Sequence, residues 1–426
     1  MSTSGKEMHD LVKVLFPICR SITGNGVRET LKIISKHIPI RINEVSSGTK
    51  VFDWVIPKEW NIRDAFVEDE NGDKIIEFSK NNLHIMGYST PIDEWVDLSV
   101  LEEHLYSLPD QPNAIPYATS YYDEKWGFCI CHNDRMKLKD GKYHVYIDSS
   151  LEDGALTYGE YIIPGETEKE ILLSTYICHP SMANNELSGP VVTTFIANWL
   201  NSKPRRYTYR IIFIPETIGS ITYLSKHSEE LKQRVIAGFN ISCIGDEGGF
   251  SYVGSRYENT YADRIADHIL SSKYSEYIKY SFLDRGSDER QYCSPGIDLP
   301  LVTLCKSKFG TYPEYHTSLD NLDLVTADGL FSGYSFVKDC LKAVENNYKY
   351  KATMMCEPQL GKYNLYESGI KGASTNTRKF KNLIAYCDGQ NDLLWIAEKI
   401  NCSLEELLPM IDKLMKIGII DRLPLQ

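Results

Sequence analysis

An α/β fold is predicted: a mixed, largely parallel sheet with helices on both faces, plus a small β-rich inserted domain and a C-terminal winged-helix domain. Three observations predict it. From Glu170 to about residue 346, apolar strand-like runs alternate with segments of helical period, the pattern of a sheet whose crossovers are helices. Between about 45 and 135 the texture becomes short β-type segments broken by turn residues. Beyond Met355 it changes again, to three short helical patterns closed by a strand-like piece.

The elements follow in chain order. Leu11, Val14, Leu15 and Ile18, then Leu31, Ile33 and Ile34, fit two helices separated by the breaker run Ser21-Ile-Thr-Gly-Asn-Gly. Val51-Phe-Asp-Trp-Val-Ile, Ala65-Phe-Val-Glu-Asp, Asn71-Gly-Asp-Lys-Ile-Ile and Trp126-Gly-Phe-Cys-Ile-Cys are short strands, the third opening on an Asn-Gly hairpin signal. Tyr143-His-Val-Tyr-Ile and Ala155 to Ile163 are two further strands. The core then runs as strand 171–177, helix 190–201, strand 209–214, a helix near 223–231, strand 235–244, helix 260–272, strand 300–305 and helix 328–346. Residues 376–387, 390–400 and 403–416 complete the chain as helices, with Ser403 and Glu406 spaced for a capping box. The division expected is 1–44 and 136–354 for the main domain, 45–135 for the β-rich insert and 355–426 for the winged-helix module.

With 426 residues, several domains are expected. A formal net charge of −12 with no basic cluster argues against nucleic acid or an anionic membrane as partner. The polar start and the lack of an 18-residue apolar run predict a cytoplasmic protein with no membrane contact. Eleven cysteines without regular spacing, mostly inside apolar runs, predict reduced thiols. Cys129-Ile-Cys131-His132 lacks the second pair that a structural zinc site needs. The last helix carries Glu405, Glu406 and Asp412 against Lys413 and Lys416, so the module is expected to make protein contacts or a homo-oligomer rather than to bind DNA.

The chemistry gathers at strand ends, where open α/β sheets place ligands. His179 follows the first core strand, Glu216 the second, Asp246 the third, and Tyr315-His316-Thr317-Ser318-Leu319-Asp320 comes after the fourth. Two imidazoles and a carboxylate at one rim make a zinc site with a place for water, and zinc lowers the pKa of that water towards ~7. Glu216 fits the general base that takes its proton. Glu186 opens the helix after His179; it reads as a helix N-terminal carboxylate, with substitute metal ligand as the alternative.

His179, Asn185-Glu-Leu-Ser-Gly189, Glu216-x-x-Gly219, Asp246 and Tyr315-His-Thr-Ser-Leu-Asp320 together resemble the successive motifs of the co-catalytic zinc aminopeptidases. That superfamily also holds carboxypeptidases, glutaminyl cyclases and non-catalytic receptor domains. With its insert and tail, the whole chain is similar to a group of bacterial aminopeptidase-like proteins often associated with surface-polysaccharide gene clusters. The resemblance implies metal ligation by His179, Asp246 and His316, with Asn185 standing where such enzymes have a metal-bridging Asp. Thr217 stands where they have a second Glu ligand, and Ser181 where an Asp orients the first His. Two missing carboxylates imply one zinc ion rather than two. Ser287-Asp288-Glu289-Arg290-Gln291-Tyr292 resembles the loop that shapes the substrate pocket, which makes Asp288, Arg290 and Tyr292 the substrate-binding candidates, Arg290 as a carboxylate fork and Tyr292 as an oxyanion donor or ring stack. The expected activity is amide-bond hydrolysis in a small peptide or an amino sugar derivative. The alternative is a binding or scaffold protein that keeps the fold without the chemistry.

Overall fold

The computed structural model describes residues 4–369 and 372–424. Helices α1 (Gly5–Leu15) and α2 (Asn25–Ile34) open it, α1 held by a capping box in which Ser4 and Glu7 satisfy each other's backbone N–H. Strand β1 (Arg41–Ser46) follows, then β2 (Glu59–Asp69), β3 (Lys74–Glu77), β4 (Ile92–Asp97) and β5 (Lys142–Glu152). These last four form an antiparallel sheet in the order β3-β2-β5-β4. The β-rich region therefore runs past residue 135, because β5 pairs along all of β2. Alternation along Tyr143, Val145 and Ile147 buries one face of β5 in the core.

The main sheet is built from β6 (Ala155–Ile163), β7 (Thr167–Tyr176), helix α3 (Ser188–Leu200), β8 (Tyr207–Ile214), helix α4 (Ile218–Arg234), β9 (Val235–Ile241), β10 (Ser251–Val253), helix α5 (Tyr261–Lys273), β11 (Ile278–Tyr280), β12 (Leu301–Cys305) and helix α6 (Ala327–Asn346). Its strand order is β1-β6-β8-β7-β9-β12-β10-β11. Strands β8, β7, β9 and β12 are mutually parallel, so their carboxyl ends share one edge. Strand β7 is central and buried from Glu170 to Tyr176, as a run of Ile, Leu, Ser and Thr covered on both faces should be. The predicted core elements are present. The short edge strands β10 and β11, three residues each, lacked any periodicity to announce them.

Glu170 would be costly inside this sheet on its own. Arg210 on β8 clasps it through two hydrogen bonds of 2.6 and 2.9 Å and also reaches Glu160 at 3.1 Å. A buried charge is tolerable when paired and hydrogen-bonded in this way.

Contacts divide the chain into two compact units, one of residues 1–263 and 278–335, the other of 264–277 and 336–426. The second contains strand β13 (Lys349–Ala352), helix α7 (Thr375–Ala385), β14 (Asp388–Asp392), α8 (Leu393–Ile400), α9 (Leu404–Lys416) and β15 (Ile420–Arg422). The strands form a three-stranded antiparallel sheet in the order β14-β13-β15. Ser403 and Glu406 make the capping box their spacing predicted. All eleven cysteines are free. Among the described residues no helix is long and apolar enough to cross a membrane.

Candidate active site

Strand β7 carries the chain to His179, whose ring is fixed from one side. Its Nδ1 lies 2.9 Å from Glu186 Oε2, and its Nε2 lies 3.7 Å from Glu216 Oε2. Glu186 belongs to a wide helical turn, Ala183–Leu187, immediately before α3. Behind it sits Arg20, fully buried, with Nε 3.4 Å from Glu186 Oε1. The same guanidinium donates to the carbonyls of Leu15, His179 and Ser181, at 2.9, 2.9 and 3.3 Å. Burial pushes the Glu186 carboxyl well above its usual range, and the Arg20 cation opposes that push. Burial, helped by Arg20, holds the His179 imidazole down to about 3, so the ring is neutral.

His316 comes from a turn in which it adopts a left-handed φ of 55°. Its ring centroid is 5.3 Å from that of His179, and Tyr315 stacks on it at 3.9 Å. Burial and the neighbouring imidazole push it down to about 3. Its Nε2 is buried and has no hydrogen-bond partner. Tyr117 wedges edge-on against both imidazoles, at 5.2 and 5.1 Å, and its backbone N–H donates to the His316 carbonyl at 2.9 Å. Tyr117 lies in the β-rich region, where no sequence motif marked it.

The third wall follows β8. The Glu216 backbone N–H donates to Cys178 Sγ at 3.2 Å. Thr217 has φ 63° and ψ −78°, an outlying conformation for a β-branched residue and a sign of local strain. Asp288 Oδ1 holds it there by accepting from the Thr217 N–H at 2.8 Å and from Ser220 Oγ at 2.7 Å. Arg290 donates to Thr217 Oγ1. Burial, reinforced by Asp288, raises the Glu216 carboxyl to about 8, and burial raises Asp288 to about 6. Asp288 Oδ2 and Arg290 Nε are buried without partners. Tyr292 does not join this wall: its hydroxyl is engaged by Ser174 Oγ in the middle of β7 at 2.9 Å, and its ring packs into the apolar core.

A family model described as a domain of unknown function (DUF4910) matches residues 9–347. The chain belongs to this family. A winged helix-turn-helix model matches residues 348–422. A Clostridium acetobutylicum protein, provisionally named as a polysaccharide biosynthesis protein with an aminopeptidase-like domain, is 46% identical over 422 residues, covering 98% of this chain and 97% of its own. A crystal structure of a provisional peptidase from the same organism superposes with TM-score 0.93 at 45% identity, over 98% of this chain and 96% of that one. A zinc aminopeptidase from Bacillus subtilis superposes with TM-score 0.58 at 13% identity, over 80% and 95% of the two chains, a likeness of fold.

In this DUF4910 chain Asp246 does not face the imidazoles. Its Oδ2 accepts from Asn184 Nδ2 at 2.7 Å, and its Oδ1 from Ser307 Oγ at 2.9 Å and Gly248 N at 2.5 Å. Strand β9 ends at Ile241, so the residue at the rim is Ser242, with Asp246 a further turn of chain away. Ser242 Oγ meets Tyr176 OH at 2.5 Å, and the same phenol donates to Asn185 Oδ1 at 3.0 Å. Asn185 and Ser242 are thus joined as neutral groups through the Tyr176 phenol. Asp320 does not contact His316 through its carboxylate. It accepts instead from the Asn184 and Asn185 backbone N–H groups, at 2.6 and 2.9 Å, which brings the turn carrying His316 to the loop carrying Glu186.

Among the described residues, one set of three candidate ligands has its donor atoms within 4.8 Å of one another: Cys178, His179 and Glu186. A cation there would sit beside Arg20 and displace the hydrogen bond already made by Nδ1, so that set does not suit a metal. His179, Asp246 and His316 do not form such a set, and neither do His179, His316 and Glu216. What remains is two neutral imidazoles and Glu216. Imidazole and carboxylate are ligand types that zinc accepts, and His316 Nε2 is unengaged.

Proposed function

We propose that this DUF4910 protein is an amide hydrolase of aminopeptidase type that works with a single zinc ion held by His179 and His316 beside Glu216. The observation that carries the reading is the pair of neutral imidazoles 5.3 Å apart with a carboxyl raised to about 8 next to them. Zinc, when bound there, supplies Lewis acidity and a water of lowered pKa. Glu216 receives the proton from the attacking water and returns it to the leaving amine. Arg290, held on Thr217, presents its unengaged Nε to a carboxylate or carbonyl oxygen of the substrate. Tyr117 and Tyr315 flank the imidazoles and exclude bulk water. The substrate is a small peptide or an amino sugar derivative, in keeping with the polysaccharide assignment carried by the Clostridium relative. The protein acts in the cytoplasm, with the winged-helix module in protein contact or self-association.

The test combines zinc stoichiometry by elemental analysis with hydrolysis of aminoacyl amides and N-acylated amino sugars. One zinc per chain, and activity that disappears on chelation and in Glu216→Gln, are expected. A second reading, a binding protein without chemistry, is favoured by Asn185 and Thr217, neutral where the aminopeptidases that the chain resembles carry carboxylates. It predicts neither metal nor turnover.

A further inference from the structure

We propose a second ligand site, independent of the hydrolase reading: the loop Ser21–Gly26 and the start of helix α2 bind the phosphate of a small phosphorylated polyol. A cavity of about 640 Å³ lies between the end of α1, this loop and the strands β2 and β5, and no residue of the candidate active site lines it. Its volume is in the range of small-molecule sites. The unmet groups at its inner end are donors. Gly24 takes the N-cap position at φ 97°, so no side chain closes the first turn of α2. Asn61 Oδ1 accepts from the Asn25 N–H at 2.7 Å, while the N–H groups of Gly26 and Val27 have no acceptor among the described residues. Ser21 lines the same cavity, is only 5% exposed, and its hydroxyl makes no hydrogen bond with any described residue. The loop is set in place before a ligand arrives. Thr23 Oγ1 accepts from the Trp60 N–H at 3.1 Å and meets Tyr88 OH at 2.6 Å. A Cβ at Gly26 would lie 2.1 Å from the Cys19 carbonyl oxygen, so only glycine lets the loop press against the first turn. Unpaired donors at the positive end of a helix are matched by acceptor oxygens that carry negative charge. Glu29 also lines the cavity and Arg63 is paired with Asp148, so the walls hold no surplus of positive charge. That suits one phosphate group and works against a polyphosphate. Ile62 and Phe78 offer apolar surface to the carbon skeleton, and Glu29 an acceptor for its hydroxyls.

The Gly26 amide can be observed almost alone. Asn-Gly occurs in the chain only at 25–26 and 71–72, so full-length protein made with ¹³C-carbonyl asparagine and ¹⁵N-glycine gives carbonyl-coupled amide signals from Gly26 and Gly72. Asn71→Gln removes the Gly72 signal and so assigns the other. Gly72, with nothing within 4 Å of its Cα substituent, is the internal control. Glycerol phosphate should move the Gly26 signal to a saturating shift and leave Gly72 in place. Inorganic phosphate should do the same at higher concentration, and glycerol should move neither. Ser21→Ala should weaken the affinity for glycerol phosphate about tenfold or more, since it removes a hydrogen bond to a charged group. A Gly26 signal that stays put in millimolar glycerol phosphate would overturn the proposal, and that titration of wild-type protein stands even if the variant fails to fold. An equal shift with glycerol, or unchanged affinity in Ser21→Ala, would overturn it too. Binding of adenosine triphosphate as tight as that of glycerol phosphate would refute the assignment to a single phosphate group. None of these readings depends on zinc or on turnover, so the site stands or falls separately from the hydrolase.

Discussion

Gly189, the second residue of helix α3, is where the helix that follows Glu186 touches the sheet. A Cβ built there would lie 2.3 Å from the Ile241 carbonyl oxygen and 2.6 Å from Thr175 Oγ1. Those two atoms are bonded to each other at 2.9 Å, and the first is main chain of a central strand, so neither can swing aside. The gap is about 1 Å short of ordinary contact, and α3 must move outward by about that amount. Gly189→Ala gains about 1 kcal/mol of helix propensity. Overpacking of this kind costs about 1–3 kcal/mol, and an unyielding carbonyl puts the case at the upper end. A net loss of about 2 kcal/mol is expected, seen as a lower urea midpoint at unchanged slope and a Tm lower by roughly 2–3 °C. The same displacement pulls on the 2.9 Å bond between Glu186 and His179, so any hydrolytic activity should drop about 100-fold. Gly249→Ala is the control, because nothing lies within 4 Å of its added methyl, and it should stay within about 0.5 kcal/mol of wild type. A Gly189→Ala protein as stable as wild type would refute the claim that α3 is seated by backbone contact at this point.

Arg210→Leu takes both hydrogen bonds from the buried Glu170, while Glu160 keeps Arg41 and Tyr223, and should cost about 3 kcal/mol in urea unfolding. Glu216 has a folded pKa raised to about 8, so its contribution to stability is complete below its unfolded value and is lost as pH rises through 8. Glu216→Gln should therefore gain on wild type in urea midpoint as metal-free samples are taken from pH 4.5 to 8, and an unchanged difference would contradict the raised value. His316 shows the opposite sign: held down to about 3, it contributes stability above pH 6.5 that is lost as pH falls through 3, and His316→Gln should flatten that acid limb. Duplex DNA should show no shift with the full chain in a gel at low salt, since Glu405 and Glu406 lie on the last helix of the winged module; salt-sensitive retardation would reverse this expectation.

The sheet was legible because β7, β8, β9 and β12 are covered on both faces and so read as unbroken apolar runs. Strand ends located His179 and Glu216, because a parallel sheet leaves its carboxyl termini on one edge. Counting acidic residues after a strand was less reliable. Asp246 and Ser242 differ by four positions, and only the end of β9 at Ile241 decides which one reaches the rim. Tyr292 was misread for a similar reason, since the helical turn at 289–292 points its ring into the core. Tyr117 and the grip of Asp320 on Asn184 were invisible, because they join segments separated by more than a hundred residues or by none of the periodicity that links neighbours. Glu186 was recognised as a carboxylate at the start of a helix, but its contact with His179 and its closeness to the buried Arg20, far away in sequence, carried no motif.

Arg20 also bears on the order in which the molecule can be assembled. It and His179 are 159 positions apart, so the two N-terminal helices can close onto the pocket only after the chain has been made through β7. Until then the guanidinium has its local acceptor on Leu15 but lacks the carbonyls of His179 and Ser181. A ribosome-bound chain stopped short of residue 186 should leave the first twenty residues open to proteolysis, and their protection should appear together with the finished pocket.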